Sequence, residues 1–325
     1  MTRLAFRSVF LVAMAVLSVS VMLGARQTPA PAPPPPNFDP VLGRWDLTVQ
    51  GASGPYPSWV QVQLRKETEL QGRFVGQFGS VRNVTKISYT DGTLAFEVPI
   101  QYETNKSDLR FEGKLVGETL EGTTVAANGT TLKWTGLRAP AFGPDKQVTW
   151  GAPVELFNGR DLEGWKPRSS AKPGCWSVVD GTLIATPPCV DLISDRTFGD
   201  AKLHVEFMYP AKANSGLYLR GRYEVQIQDD AGRGLDALRM GGVYGFIRPY
   251  ADAAGRAGDW QTYDITLRGQ RVAIALNGKT IADNEVITGI TGGALDSAEG
   301  TPGPLMLQGD HGKVSFRKVT LTPAN

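Results

Sequence analysis

Histidine is scarce in this 325-residue chain: His204 and His311 are the only two. An imidazole titrates near neutrality, so each is a candidate for proton transfer. His311 lies in Gln308-Gly-Asp310-His311-Gly, between glycines at the end of an apolar run. His204 lies on a strand-like run and shares a face with Glu206 and Met208. A further carboxylate, Glu224, stands in the stretch 214–229, where the chain says most about its chemistry. There Leu217, Leu219, Val225 and Ile227 alternate with Tyr218, Arg220, Glu224, Gln226 and Gln228, and Gly221-Arg222 reads as a tight turn. That is the period of two antiparallel strands with one apolar and one polar face. An Arg, a Glu and two Gln, closed by Asp229 and Asp230, are planar hydrogen-bonding groups that suit the hydroxyls of a sugar. On pattern alone, a plain solvated sheet face is an equal alternative.

The same stretch, Asn214-Ser-Gly followed by Leu219-Arg220-Gly and Tyr223-Glu224-Val-Gln226-Ile, resembles the signature of the 3-keto-disaccharide hydrolase family. Further segments agree in order. They are Leu156-Phe-Asn-Gly-Arg-Asp-Leu-Glu-Gly-Trp165, Gly241-Gly-Val-Tyr244-Gly245, Gly258-Asp-Trp-Gln-Thr-Tyr263 with Leu276-Asn-Gly278, and Pro304-Leu-Met-Leu-Gln308-Gly-Asp-His311 followed by Phe316-Arg317. The resemblance covers residues 153–323 and implies a concanavalin-like jelly roll with ligands on its concave face.

It also implies a reaction. The C2–H of a 3-keto-glycoside is acidified by the neighbouring ketone, and the glycosidic oxygen on C1 is beta to that carbon. Removing the C2 proton lets the aglycone leave, and adding water across the double bond completes a net hydrolysis. The chemistry needs a base near C2, an acid near the glycosidic oxygen and a donor or metal facing the enolate oxygen. The family match makes His311 the first acid/base candidate. Glu224 is the candidate base or metal ligand, and Arg220 the fixed positive donor. Asn214, Gln226 and Gln308 fit sugar hydroxyls. Asp229 and Asp310 are candidate ligands or orienting carboxylates. His204 and Glu206 reach the cleft if their strand face is concave. Residues 229–257 form a long Gly- and Ala-rich loop containing Tyr244, read as one wall of the cleft. A divalent metal ion is consistent with Glu224, Asp310 and His311 converging, although no tight metal-binding spacing is present.

Two rival readings use the same face. Retaining glucanases of this fold carry Glu-x-Asp-x-x-Glu, and here the comparable run is Glu224-Val-Gln226-Ile-Gln-Asp229. Gln cannot ionise, which compromises a paired-carboxylate mechanism. A non-catalytic, lectin-like carbohydrate-binding module would use the polar face without needing His311.

The rest of the chain positions this half. Arg3 and Arg7 before an apolar run make residues 1–25 read as a secretory signal, so the protein is expected to be exported, periplasmic or secreted. Removing that segment leaves Lys+Arg equal to the 32 Asp+Glu. A neutral chain argues against nucleic acid as a partner. Residues 26–40 are Pro-rich and read as an extended linker. Runs at 43–49, 59–66, 71–78, 81–89, 94–100, 109–116, 120–126 and 132–137 read as eight short strands, joined at Asp91-Gly92, Gly117-Glu118 and Asn128-Gly129. They imply a small antiparallel β-barrel-like domain over 41–139, with Trp45, Phe74, Phe96 and Trp134 as inward aromatics. A linker at 140–152 leads to the second domain. The fold class is all-β throughout, a barrel followed by a two-sheet sandwich. Cys175 and Cys189 are expected to form a disulfide in an oxidising compartment, with two free buried thiols as the alternative. No Gly-rich dinucleotide fingerprint occurs, so the oxidation that makes a 3-keto sugar would belong to a separate glycoside dehydrogenase.

Overall fold

Hairpins punctuated by glycine build the first half of the chain. In the computed structural model, which describes residues 37–142, 147–171 and 174–325, this half contains nine strands. They are β1 (Gly43–Gly51), β2 (Gly54–Lys66), β3 (Glu69–Val75), β4 (Arg82–Asn83), β5 (Lys86–Thr90), β6 (Thr93–Val98), β7 (Leu109–Val116), β8 (Thr119–Val125) and β9 (Thr131–Arg138). The expected secretory segment and most of the Pro-rich stretch lie outside the described residues.

The run expected as one strand at 81–89 is two. Its first part pairs with β3 (Phe74 opposite Arg82) and its second with β6 (Lys86 opposite Glu97). Between them the Val84 N–H donates to Gly72 O (2.9 Å) and the Thr85 N–H to Glu97 O (2.8 Å). One bent segment thus pairs with both ends of the sheet order β3-β2-β1-β9-β8-β7-β6 and draws it into a barrel-like ring. Trp45, Phe74, Phe96, Phe111 and Trp134 are buried inside, with Phe96 stacked on Phe111 at 5.0 Å. A Cβ on Gly113 or Gly122 would sit 2.5 Å from a ring carbon of Trp134, so the indole needs both positions bare. The aromatics fill this interior.

The second half is a jelly-roll sandwich of thirteen strands. In order these are β10 (Val154–Glu155), β11 (Trp165–Pro167), β12 (Trp176–Val179), β13 (Thr182–Ala185), β14 (Leu192–Phe198), β15 (Ala201–Met208), β16 (Asn214–Leu219), β17 (Tyr223–Gln228), β18 (Gln261–Arg268), β19 (Arg271–Leu276), β20 (Lys279–Val286), β21 (Gly303–Leu307) and β22 (Val314–Pro323). One sheet runs β12-β13-β22-β15-β18-β19-β20 with β10 beside β22; the other runs β11-β14-β21-β16-β17. Leu217, Leu219, Val225 and Ile227 of the second sheet share one core with Leu203, Val205, Phe207, Tyr263 and Ile265 of the first. Cys175 and Cys189 form a disulfide, with Cα atoms 5.2 Å apart. Strands β14 and β20 escape a search for alternation. The register of β14 shifts between Ile193 and Thr197, and β20 is largely polar.

Barrel and sandwich pack directly, and residues 37–325 form one compact unit. Trp59 and Val75 of the barrel are buried with Ile290 and Ala294 of the sandwich, and Phe246 meets the Trp59 ring edge-on at 5.9 Å. The Gly293 N–H donates to Gln77 O (2.8 Å), and a Cβ on Gly292 would lie 2.7 Å from Gly79 N. Arg44 pairs with the buried Glu299 across the same boundary.

Candidate functional site

Strand parity places most of the candidate side chains. On β16 the residues Ser215, Leu217 and Leu219 turn to the core, so Asn214 and Tyr218 face the other way; on β17 Glu224 and Gln226 do the same. Register sets Tyr218 opposite Glu224 and Gly216 opposite Gln226. Gly216 has no side chain because Glu224 occupies that space: a Cβ there would be 2.5 Å from Glu224 Oε1. Gln308, Asp310 and His311 follow β21 on the same surface. Together these residues line a cleft of about 430 Å³, a size suited to a small ligand.

Other elements complete the walls. The long loop contributes Tyr244, and the segments flanking β11 and β14 contribute Arg168 and Asp191. The loop after β20 contributes Gly292 and Gly293, and two barrel loops contribute Phe78, Gly79 and Tyr102. Burial drives the Glu224 carboxyl up to about 8, with the Tyr218 hydroxyl and the His311 charge acting against that shift. His311 is raised above its ordinary value by its Nδ1 contact with Asp310, which outweighs desolvation. Burial also pushes on Asp310, but the hydrogen bond and charge of His311 hold it below the usual carboxylate range. Asp191 is raised by burial and then by the charge of Asp310; it accepts from the Gly309 N–H and from Arg168, both at 3.1 Å. Gln226 has its amide 3.2 Å from that of Asn214 and 3.1 Å from that of Gln228. Gln308 is 8 % exposed, and its Oε1 is a buried acceptor with no protein partner at the cleft wall.

The cleft therefore combines a buried carboxyl that retains its proton near neutrality with an imidazole whose titration is raised by its Asp310 partner. Such a pair can divide the roles of base and acid.

Four expected side chains lie elsewhere. Arg220 has the parity of the cleft face, but it is a turn residue. Both Arg220 (φ 54°) and Gly221 (φ 69°) are left-handed, and the Arg222 N–H donates to Leu219 O (3.1 Å). This is a type I′ hairpin centred on Arg220-Gly221, one residue earlier than expected. The Arg220 guanidinium leaves the sheet face, lies 5.2 Å from the Tyr223 ring centroid and donates to Gly269 O. Asp229 accepts from the Lys212 N–H (2.7 Å) at the strand end. His204 and Glu206 lie on β15, whose Leu203, Val205 and Phe207 fill the core, so both face out of the opposite sheet. There His204 Nδ1 meets Asp264 (2.7 Å) and Glu206 pairs with Arg317. The guanidinium lining the cleft belongs to Arg168, which donates to Gly293 O (2.8 Å) as well as to Asp191. Neither it nor Asp191 carries a sequence signal beyond proximity to the strands. Glu224, Asp310 and His311 share the cleft, but among the described residues no group of three His, Cys, Asp or Glu side chains could hold a metal ion.

Comparison with known proteins gives one family. Residues 152–322 match the profile described as a 3-keto-alpha-glucoside-1,2-lyase-like domain. Two solved structures from Parabacteroides distasonis ATCC 8503, assigned by inference as glycosyl hydrolases, resemble the chain. One is 25 % identical with a TM-score of 0.45, covering 56 % of this chain and 93 % of its own. The other is 23 % identical with a TM-score of 0.44, covering 53 % and 100 %. SCLam, a non-specific endo-beta-1,3(4)-glucanase from family GH16, is 12 % identical with a TM-score of 0.36, covering 58 % and 95 %. No curated protein matches the chain.

Proposed function

The chain belongs to the 3-keto-alpha-glucoside-1,2-lyase-like family, and from that membership and the chemistry of the cleft we propose that it cleaves 3-keto-glycosides by elimination and hydration. The observation that carries this reading is the pairing, in one cleft, of the buried Glu224 carboxyl with the Asp310–His311 couple.

Glu224, once ionised, removes the proton from C2 of the sugar. A carboxylate whose conjugate acid titrates near 8 is a stronger base than an exposed one, and burial is the cause. The electron pair left on C2 delocalises to the ketone oxygen at C3. Arg168 and the Gln308 amide are donors at the cleft for that oxygen and for the neighbouring hydroxyls. The pair then returns to form the C1–C2 double bond as the C1–O bond breaks. His311, in its protonated form and paired with Asp310, gives its proton to the departing oxygen. Water adds back, hydroxyl to C1 and hydrogen to C2, so the sum is hydrolysis.

Paired-carboxylate hydrolysis has less support. The residue two places after Glu224 is Gln226, and the Asp229 carboxylate is occupied by the Lys212 N–H. Because this scheme neither makes nor consumes the ketone, a separate dehydrogenase supplies the oxidised substrate.

The test is incubation of the protein with a 3-keto-disaccharide and with its unoxidised parent, following free 3-keto-glucose by mass spectrometry. Release from the keto sugar alone is expected. Cleavage of the unoxidised disaccharide at a similar rate would replace this reading with ordinary glycoside hydrolysis.

A further inference from the structure

Among the described residues, the exposed large aromatic side chains are Phe78, Tyr102 and Tyr250, and the first two line the cleft from the barrel side. Phe78 is 57 % exposed and Tyr102 63 %. Aromatic surface left bare beside a polar pocket has no reason in packing, since the barrel fills its interior with other rings. The two loops are also held in place. Gln101 Oε1 accepts from the Ser80 N–H (3.0 Å), Arg82 clamps Glu103 (2.8 and 3.0 Å) and donates to Pro99 O (2.7 Å), and the Gln101 N–H donates to Glu103 (2.8 Å). Behind Phe78, the chain at Gly79 is packed so closely on Gly292 that neither could retreat. Side chains fixed in this way form a binding surface at little ordering cost.

Resting on the reading above, we infer that the barrel completes the substrate site. Phe78 and Tyr102 form an aromatic wall for the second ring of a two-ring glycoside, the ring that departs when the C1–O bond breaks. The polar groups assigned above to hydroxyl contact and proton transfer all come from the sandwich. A pyranose carries C–H groups on its flat faces, and an aromatic ring covers them without needing a hydrogen bond. The wall therefore selects for ring-shaped leaving groups and adds nothing to the binding of a single keto sugar.

The test is a full-length Phe78→Ala, Tyr102→Ala double variant beside a Phe78→Trp variant that keeps the wall flat. Both positions are exposed, so unchanged melting will report intact folding. Titration calorimetry, with Glu224→Gln added to each protein so that the ligand is not cleaved, would measure a 3-keto-disaccharide, its unoxidised parent and 3-keto-glucose alone. The expected result is a Kd about 30-fold higher for both disaccharides in the alanine variant, the scale of removing an aromatic anchor. Binding of the single ring should be unchanged, and the flat-ring variant should behave like the parent. Equal disaccharide affinity in parent and alanine variant would overturn the inference, and so would equal losses for one-ring and two-ring ligands. If the wall effect appears with the unoxidised disaccharide but the protein with Glu224 in place never releases 3-keto-glucose, the inference stands and the eliminating-enzyme reading falls. If the parent binds no two-ring sugar, both fall.

Discussion

The hydroxyls of Tyr102 and Tyr244 lie 3.3 Å apart, one carried by the barrel and the other by the long loop of the sandwich. They join two walls of the cleft that are far apart in sequence. A neutral hydrogen bond contributes about 1 kcal/mol, roughly a fivefold effect on an equilibrium. Tyr244→Phe should therefore raise KM about fivefold on a 3-keto-disaccharide and leave kcat within twofold. A hundredfold loss of kcat at constant KM would instead make Tyr244 a participant in proton transfer.

The two proton transfers are separable. In deuterated water, Glu224→Gln should abolish both aglycone release and exchange at C2, each by about a thousandfold, the usual worth of a positioned base. His311→Ala should slow release by a similar factor yet still exchange the C2 hydrogen, which NMR can follow. Exchange surviving in the Glu224 variant but lost in the His311 variant would reverse the two roles.

Ionisation also sets how stability varies with pH. Burial holds Glu224 up to about 8, and burial with repulsion from Glu299 holds Asp46 up to about 7 despite the attraction of Arg44. Unfolded, both carboxyls lose their protons near pH 4. Between these values the folded chain binds more protons than the unfolded chain, so stability must fall as pH rises from about 4 to about 8. The raised titration of His311 acts in the same direction. Melting temperatures measured across this range should show each of Asp46→Asn and Glu224→Gln making the decline shallower, the first up to about 7 and the second up to about 8. A parent curve that rises through the window would contradict both assignments. Activity needs Glu224 ionised and His311 charged, so kcat/KM should be bell-shaped with its optimum on the alkaline side of neutrality, and its two limbs belong to the coupled pair.

Gly216 is the simplest probe of how the carboxyl is held. Alanine there would press on Glu224 Oε1 and Cγ, at 2.5 and 2.8 Å. Displacement by even part of an ångström should lower kcat at least tenfold while the fold survives, as judged by circular dichroism. Parent-like kcat would mean that Glu224 has room to move and is not positioned by its neighbour.

Alternation in 214–229 was enough to place Asn214, Glu224 and Gln226 on a single face, because side-chain direction in a strand follows parity. Parity fails at Arg220, where a left-handed backbone ends the strand and sends the side chain to Gly269. It is also silent on which face of a sheet lies over a cleft, and this is why His204 and Glu206 read as candidates while the packing of Leu203 and Val205 turns them outward. Arg168, Asp191 and Tyr102 sit on loops with no period at all, and Phe78, the last residue of the run expected as a strand at 71–78, lies in the loop after β3, which ends at Val75. They reach the cleft only because the two sheets and the barrel assemble around it, and that assembly has no local signature in the chain.

The close fit of Gly292 on Gly79 has a consequence for how this protein comes apart. Two modules joined by a loose tether usually melt in succession, each absorbing heat at its own temperature. Here the contact has no slack, and Trp59, Val75, Ile290 and Ala294 would meet water if either side opened. The barrel and the sandwich should therefore lose structure together, in one calorimetric peak whose van't Hoff enthalpy equals the heat absorbed. Two resolved peaks would mean that the barrel is a passenger.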